Sequence, residues 1–180
     1  LNWRFSKGDP AGAEKVAFDD SEWRKLDVPH DWSIEGPYDE INTTGPTGGY
    51  LPAGIGWYRR HFVAPDGFTG RRVSVQFDGV YMNATVYLNG HRIGQHDYGY
   101  TSFVCDLTPF LAPAGGGNVL AVRVDNSTQP NSRYYSGSGI YRHVWMDVTG
   151  PVHIPAWGTF VRTLEVSATG AAIGVQTEVE

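Results

Sequence analysis

Asp125 and Asn126 close the run NVLAVRVDN and open the polar stretch DNSTQPNS. Leu120, Val122 and Val124 alternate with Ala121 and Arg123. A period of two sends the first set toward a core and puts Asp125 on the opposite face, beside Arg123. A carboxylate at such a strand end can accept two hydroxyl hydrogen bonds, the way proteins hold sugars; the competing role is an Asx-turn that opens the loop. A second group is RYYSGSGIYRHVWM, residues 133 to 146. There Gly137 and Gly139 permit close backbone approach or positive φ. Tyr134 and Tyr135 can stack or reach across an interface, and Arg142 either clamps a carboxylate or covers a sheet face with its stem. A loop that only joins strands needs none of that aromatic content. The third group is the stretch from 28 to 62, with more than twenty residues of loop, well beyond the usual connection length. Trp32, Tyr38, Tyr50 and Trp57 are expected to line it, and Asn42 is its most evident two-way hydrogen-bonding group. The alternative is a loop that packs on itself through its aromatics.

No self-sufficient catalytic set accompanies these groups. The sequence has no G-x-S-x-G elbow, H-E-x-x-H helix, Walker loop or paired cysteines. Its six histidines show no i,i+4 pair that would make a metal face. Carboxylates are plentiful, but none is paired in a context that predicts two facing across a cleft, the minimum for glycoside hydrolysis. Asp39 and Glu40 are neighbours, and neighbours in extended chain point apart.

Composition narrows the class. With 180 residues, 41% hydrophobic and 18% charged, the chain is a folded domain with room for part of a second. A net charge of −5 argues against non-specific binding to nucleic acid or an anionic membrane surface, which needs a basic field. The single Cys105 excludes an intramolecular disulfide and leaves the compartment open among periplasm, cell exterior and cytoplasm. No apolar run approaches the ~20 residues of a membrane span. No signal peptide is visible, and a start as strand-like as LNWRF suggests that upstream residues have been removed.

The elements that must position these residues are strands. RVSVQFDGV alternates Val73, Val75 and Phe77 with Ser74 and Gln76. ATVYLNGHRIG sets Asn89-Gly90 between two strand-like runs, a strong hairpin signal because both central turn residues need positive φ. IYRHVWMDV and GTFVRTLEV continue the pattern, and glycine and proline punctuate the rest. DDSEWRKLDVP is expected to form one helical turn capped by Asp19 or Asp20, and DLTPFL another short turn. Strands at this spacing predict a sandwich or jelly roll. A boundary is expected near TGPVHIPAWG, residues 149 to 158, after which about 20 residues of alternating pattern cannot bury a core alone.

VPHDWSIEG, GGYLPAGIGWYRRHF, FDGVYMNATVYLNGHRIGQHDYGYTSFVCDLT, NVLAVRVDNS and YYSGSGIYRHVWM occur in that order. Together they resemble the N-terminal sugar-binding domain of glycoside hydrolase family 2, closest to its β-galactosidases, over residues 1–150. Residues 151–180 are similar to a linker and the truncated opening of that family's immunoglobulin-like second domain. The resemblance implies an all-β, galactose-binding-like jelly-roll β-sandwich packed on a (β/α)8 barrel. That barrel, absent from this chain, supplies both glutamates of a retaining mechanism. The first domain then sends loops into the barrel mouth and helps hold the non-reducing-end sugar of a β-galactoside. On that basis Asp125 is expected to contact the sugar or an associated monovalent cation, with Asn42 a looser match. Tyr134, Tyr135, Arg142 and Trp57 are expected to shape the pocket or an inter-domain contact, with Arg142 and His143 on the returning strand. The chain itself is expected to hold no cofactor and to be inactive alone, although monovalent or divalent cations serve such enzymes. Two other roles stay open, an independent carbohydrate-binding module and a purely structural scaffold. So do the sister activities β-glucuronidase and β-mannosidase.

Overall fold

The computed structural model describes residues 1–64, 67–131 and 134–180. Arg133, the first residue of the tyrosine-glycine segment, lies outside them, as does Ser132. Eleven strands are found among the described residues: β1 (Trp3–Lys7), β2 (Arg24–Leu26), β3 (Gly54–Val63), β4 (Arg72–Phe77), β5 (Ala84–Leu88), β6 (His91–His96), β7 (Phe103–Asp106), β8 (Gly117–Asn126), β9 (Val144–Thr149), β10 (Thr159–Val166) and β11 (Ala171–Thr177). Six form one antiparallel sheet in the order β2-β1-β3-β8-β5-β6, and β7-β4-β9 form a second. The two sheets face each other as a jelly-roll β-sandwich. Tyr58, Val86, Leu120, Val122 and Val124 of the larger sheet meet Val73, Val75, Phe77 and Phe103 of the smaller in one buried cluster. Among the described residues no helix is long and apolar enough to cross a membrane.

The alternation read from β4 and β8 places their apolar sets inward. The β5–β6 turn has Asn89 at φ 50° and Gly90 at φ 85°, as a two-residue turn with two left-handed positions requires. Thr108–Phe110 forms a short 3-10 turn, as DLTPFL suggested.

The expected helical turn at 19–29 is a different structure. The Asp19 carboxylate accepts the Ser21 N–H at 2.9 Å, a local turn, and Arg24–Leu26 then pairs antiparallel with β1. Backbone pairing at a sheet edge outcompetes one isolated helical turn, whose nucleation is unfavourable. IYRHVWMDV is also corrected: the strand begins only at Val144, so Arg142 and His143 precede it.

The outer face of the larger sheet is not solvent-facing. Residues 8–23 strap across it, burying Trp57, Ala121 and Ala13 with Trp23 and Tyr87 packed alongside. The strap is pinned by Arg59, which has no exposed surface. Its Nε donates to Asp20 Oδ2 at 2.7 Å, and its other nitrogens donate to the carbonyls of Ala13, Lys15 and Phe18. Residues β10 and β11 form a separate hairpin whose apolar side chains, among them Phe160, Leu164 and Val175, stay exposed.

Candidate functional site

Three loops meet at the end of β8. One runs from β2 to β3 and carries residues 27–53, the second follows Asn126, and the third is the Ser136–Gly139 segment. Asn126 is the hub. Val124 and Asn126 both point inward by strand period, so this side chain is a buried polar group that must be satisfied. Its Nδ2 donates to Gly137 O at 3.0 Å and Ser138 Oγ at 2.8 Å. Its Oδ1 accepts from Gln129 at 2.8 Å and Asn131 at 2.5 Å. Ser33 Oγ donates to Ser138 Oγ at 2.8 Å, which ties the first loop to the same point.

Asp31 makes the second tie. Its carboxylate accepts the backbone N–H of Ser33 at 2.9 Å, that of Ser138 at 2.8 Å, and the Tyr135 hydroxyl. Burial, reinforced by the Asp31 carboxylate, pushes the Tyr135 phenol well above its ordinary range, so it remains a donor. Backbone bonds from His30 N–H to Ile140 O and from Trp32 N–H to Ser138 O complete the seam. His30 is held in turn by Tyr58 Oη at 2.8 Å and Glu35 at 3.1 Å, and its burial lowers the imidazole pKa despite Glu35.

The glycines of the third loop are required by these contacts. Gly139 has φ +127°, and a Cβ there would collide with the Tyr58 hydroxyl and lie 2.6 Å from His30 O. Gly139→Ala is expected to lower the unfolding free energy by about 2–3 kcal/mol, read from a denaturant midpoint. Gly170, with open space around it, is the control, and its alanine variant should stay within about 0.5 kcal/mol of wild type.

Asp125 stands at the rim of this junction on the outer face of β8. Its Oδ1 accepts from Ser127 N–H at 3.0 Å and Ser127 Oγ at 2.6 Å, an Asx-type turn. Its Oδ2 lies 3.2 Å from Arg123, which also makes a two-pronged contact with Asp9 at 3.0 and 2.7 Å. Burial raises the Asp125 pKa, but the Ser127 and Arg123 contacts outweigh it and hold the carboxyl below the usual range. A quarter of the side chain remains exposed, and a carboxylate has about four acceptor positions, so one more donor can be received. The Asx-type turn is formed, and one edge of the carboxylate stays open.

The other expected site residues are distributed differently. Asn42 spends its amide inside its own loop, donating to Tyr50 O at 2.8 Å and Pro37 O at 3.2 Å. It is a staple of that loop and shares no hydrogen bond with Asp125. Tyr134 is 78% exposed at the junction's mouth, free to meet a partner surface. Arg142 makes no ion pair among the described residues; its guanidinium lies 5.6 Å from the Tyr141 ring centroid. Trp57 corrects an expectation. It sits on β3, buried under the strap, stacked on Tyr87 and donating Nε1 to Asp9 at 2.7 Å. It shapes no pocket, since its large apolar area is better covered than exposed. Trp32 is likewise buried in the main core.

Of the two residues that tie the junction, Asp31 has no signal in the sequence, and Asn126 is named there only beside Asp125. The one available signal was polarity at Asn126, an inward strand position where an unsatisfied group would be costly.

The cleft between the loops, lined by Ser33, Thr44, Leu51, Asn126, Asn131 and Tyr135, measures only about 10 Å³. That is room for about one water, not a pyranose. Among the described residues, every carboxyl group whose titration is displaced is displaced downward. A glycosidase's general acid needs the opposite. No three His, Cys, Asp or Glu side chains group as a metal centre among these residues.

Comparison with known proteins accords with this geometry. The sequence model described as glycosyl hydrolases family 2, sugar binding domain, matches residues 2–150. The chain is 50% identical over 176 residues to the beta-galactosidase BoGH2A of Bacteroides ovatus, covering 98% of this chain and 21% of that protein. A solved glycosyl hydrolase family 2 member from Bacteroides cellulosilyticus superposes with a TM-score of 0.93 at 42% identity, covering 99% of this chain and 24% of that one. The Bacteroides uniformis beta-glucuronidase superposes with a TM-score of 0.87 at 32% identity, covering 99% and 21% respectively. The chain therefore spans about a fifth to a quarter of these relatives' length.

Proposed function

The chain belongs to glycosyl hydrolase family 2 as its sugar-binding domain, and from that membership we propose that it forms one wall of a β-galactosidase's non-reducing-end sugar subsite. The catalytic barrel of the parent protein closes the other side. One observation carries most weight: three loops are locked together by Asp31 and Asn126 into a rigid rim, yet the cleft they enclose is too small for a sugar ring. Such preorganisation without a cavity suits a surface completed by another domain.

A neutral galactoside fits the rim better than a glucuronide. The rim carries the carboxylates of Asp31 and Asp125, and Arg123, the cation beside Asp125, is already paired twice. A substrate carboxylate would meet repulsion there, with no free cation among the described rim residues. The 50% identical relative carries the beta-galactosidase name, in keeping with this choice. Residues 151–180 are assigned to a linker and the opening strands of an immunoglobulin-like domain, whose further strands would cover the exposed apolar residues of β10 and β11. A monovalent cation between Asp125 and a sugar hydroxyl belongs to the same proposal, because such hard ions take oxygen ligands.

The test is calorimetric titration of residues 1–180 with galactose and β-galactosides. No heat of binding is expected into the millimolar range. Dissociation constants of about 1 mM or tighter, worth about 4 kcal/mol, would establish an independent binding module instead.

A further inference from the structure

We propose that the outer face of the β7-β4-β9 sheet is a second carbohydrate-binding groove, one that takes an uncharged oligosaccharide. The groove lies on the opposite sheet from Asp125, and nothing in its assignment depends on the role of that residue. It has a volume of about 580 Å³ between the sheet and the segment 153–157. That is the size class of small-molecule sites.

Its lining suits hydroxyl groups. Val73, Val75 and Phe77 take the inner face of β4, so Arg72, Ser74 and Gln76 line up outward. Cross-strand register sets Asp106 and Asp147 on either side of Ser74, and Trp145 beside Gln76. The result is a grid of amide, hydroxyl and carboxylate groups on a rigid sheet, with outward residues about 6.8 Å apart along the strand.

Exposed indoles flank the grid. Trp157 is 65% exposed and Trp145 51% exposed. Trp145 is already oriented: its Nε1 donates to Asp78 Oδ2 at 2.8 Å, and Asp78 Oδ1 receives Gln76 Nε2 at 2.9 Å. An indole held by its polar edge offers its apolar face at little entropic cost, as stacking on a sugar ring requires. His153 also lines the groove, and its buried Nδ1 finds no hydrogen-bond partner among the described residues.

Charge selects the ligand class. Arg72 is bound to Glu180 at 3.2 Å and Asp106 at 3.4 Å, so its cation is compensated. With Asp147 the groove holds three carboxylates against one guanidinium. An acidic glycan is therefore repelled, whereas a neutral one finds acceptors for its hydroxyls.

Affinity electrophoresis of the intact protein through gels containing soluble neutral β-galactan tests the assignment, with polygalacturonate as the anionic control. Galactan should retard the wild type and polygalacturonate should not. Trp157→Ala and Asp147→Ala should each weaken retardation at least fivefold, while Trp157→Phe keeps most of it and Lys25→Ala, at an exposed position of β2 in the other sheet, keeps all of it. Absence of retardation by galactan, equal retardation of the wild type and both groove variants, or an equal loss caused by Lys25→Ala would overturn it. Insensitivity to Trp157→Ala alone would overturn it as well, since the indole would then be no part of a ligand site.

Discussion

Replacing Asp20 with alanine is expected to cost about 3–5 kcal/mol of folding free energy, the range for removing one partner of a buried ion pair. Asp20 is 4% exposed and receives Arg59 at 2.7 Å, His61 at 2.7 Å and Arg4 at 3.1 Å. Without it the fully buried Arg59 guanidinium keeps only the carbonyls of the strap. The charge is then uncompensated, and the strap over β3 and β8 loses its anchor. The double variant Asp20→Leu/Arg59→Met should recover most of the loss, since a buried ion pair exchanged for apolar residues is often neutral. A pH dependence follows. Burial raises the Asp20 pKa, but hydrogen bonds from His61 and Arg59 outweigh it and leave the group below its ordinary 3.8. A depressed carboxyl stabilises the fold above its unfolded-state pKa, and that contribution disappears as the pH falls through the lower folded-state value. Denaturant titrations of wild type and Asp20→Asn should therefore differ most at neutral pH and converge below about pH 3.8. A gap that stays constant into acid would show that Asp20 acts through packing alone.

The second large effect concerns rate. In the full-length enzyme, Asp125→Asn is expected to lower kcat/KM by about 2–4 kcal/mol, roughly 30- to 900-fold, through loss of a charge-assisted hydrogen bond to a sugar hydroxyl. The substitution keeps an oxygen for the Ser127 contacts, so the turn should survive. Thermal stability within about 1 kcal/mol of wild type, measured beside the kinetics, separates a lost contact from a collapsed rim. A near-normal rate would favour a scaffolding role for the whole domain.

The sandwich was legible because its central strands alternate cleanly: Val73, Val75 and Phe77 in one, Leu120, Val122 and Val124 in the other. The Asn89-Gly90 turn was legible because few residues other than Asn and Gly accept its φ values. Residues 8–23 were opaque for the converse reason. They are held by Arg59 and Asp20, and a buried ion pair carries the same letters as a solvated one. The same ambiguity misplaced Trp57: an aromatic in a glycine-rich stretch reads as loop surface until the strap that covers it is known. At the site, strand period placed Asp125 correctly on the outer face. Asn42 failed as a partner because its hydrogen bonds are decided by how residues 37–50 close on themselves. Asp31 was beyond reach, since its partners Tyr135 and Ser138 lie more than a hundred residues away.

Whether this rim touches substrate is decided most directly by pairing the protein variant with altered sugars. Wild-type and Asp125→Asn full-length enzymes would be compared on nitrophenyl β-galactoside and on its monodeoxy analogues. If Asp125 grips one hydroxyl, the penalty seen with the parent sugar should collapse to under about threefold on the analogue lacking that hydroxyl and persist on the others. The same penalty on every analogue, or none on any, would mean that Asp125 and its loops stand clear of the sugar.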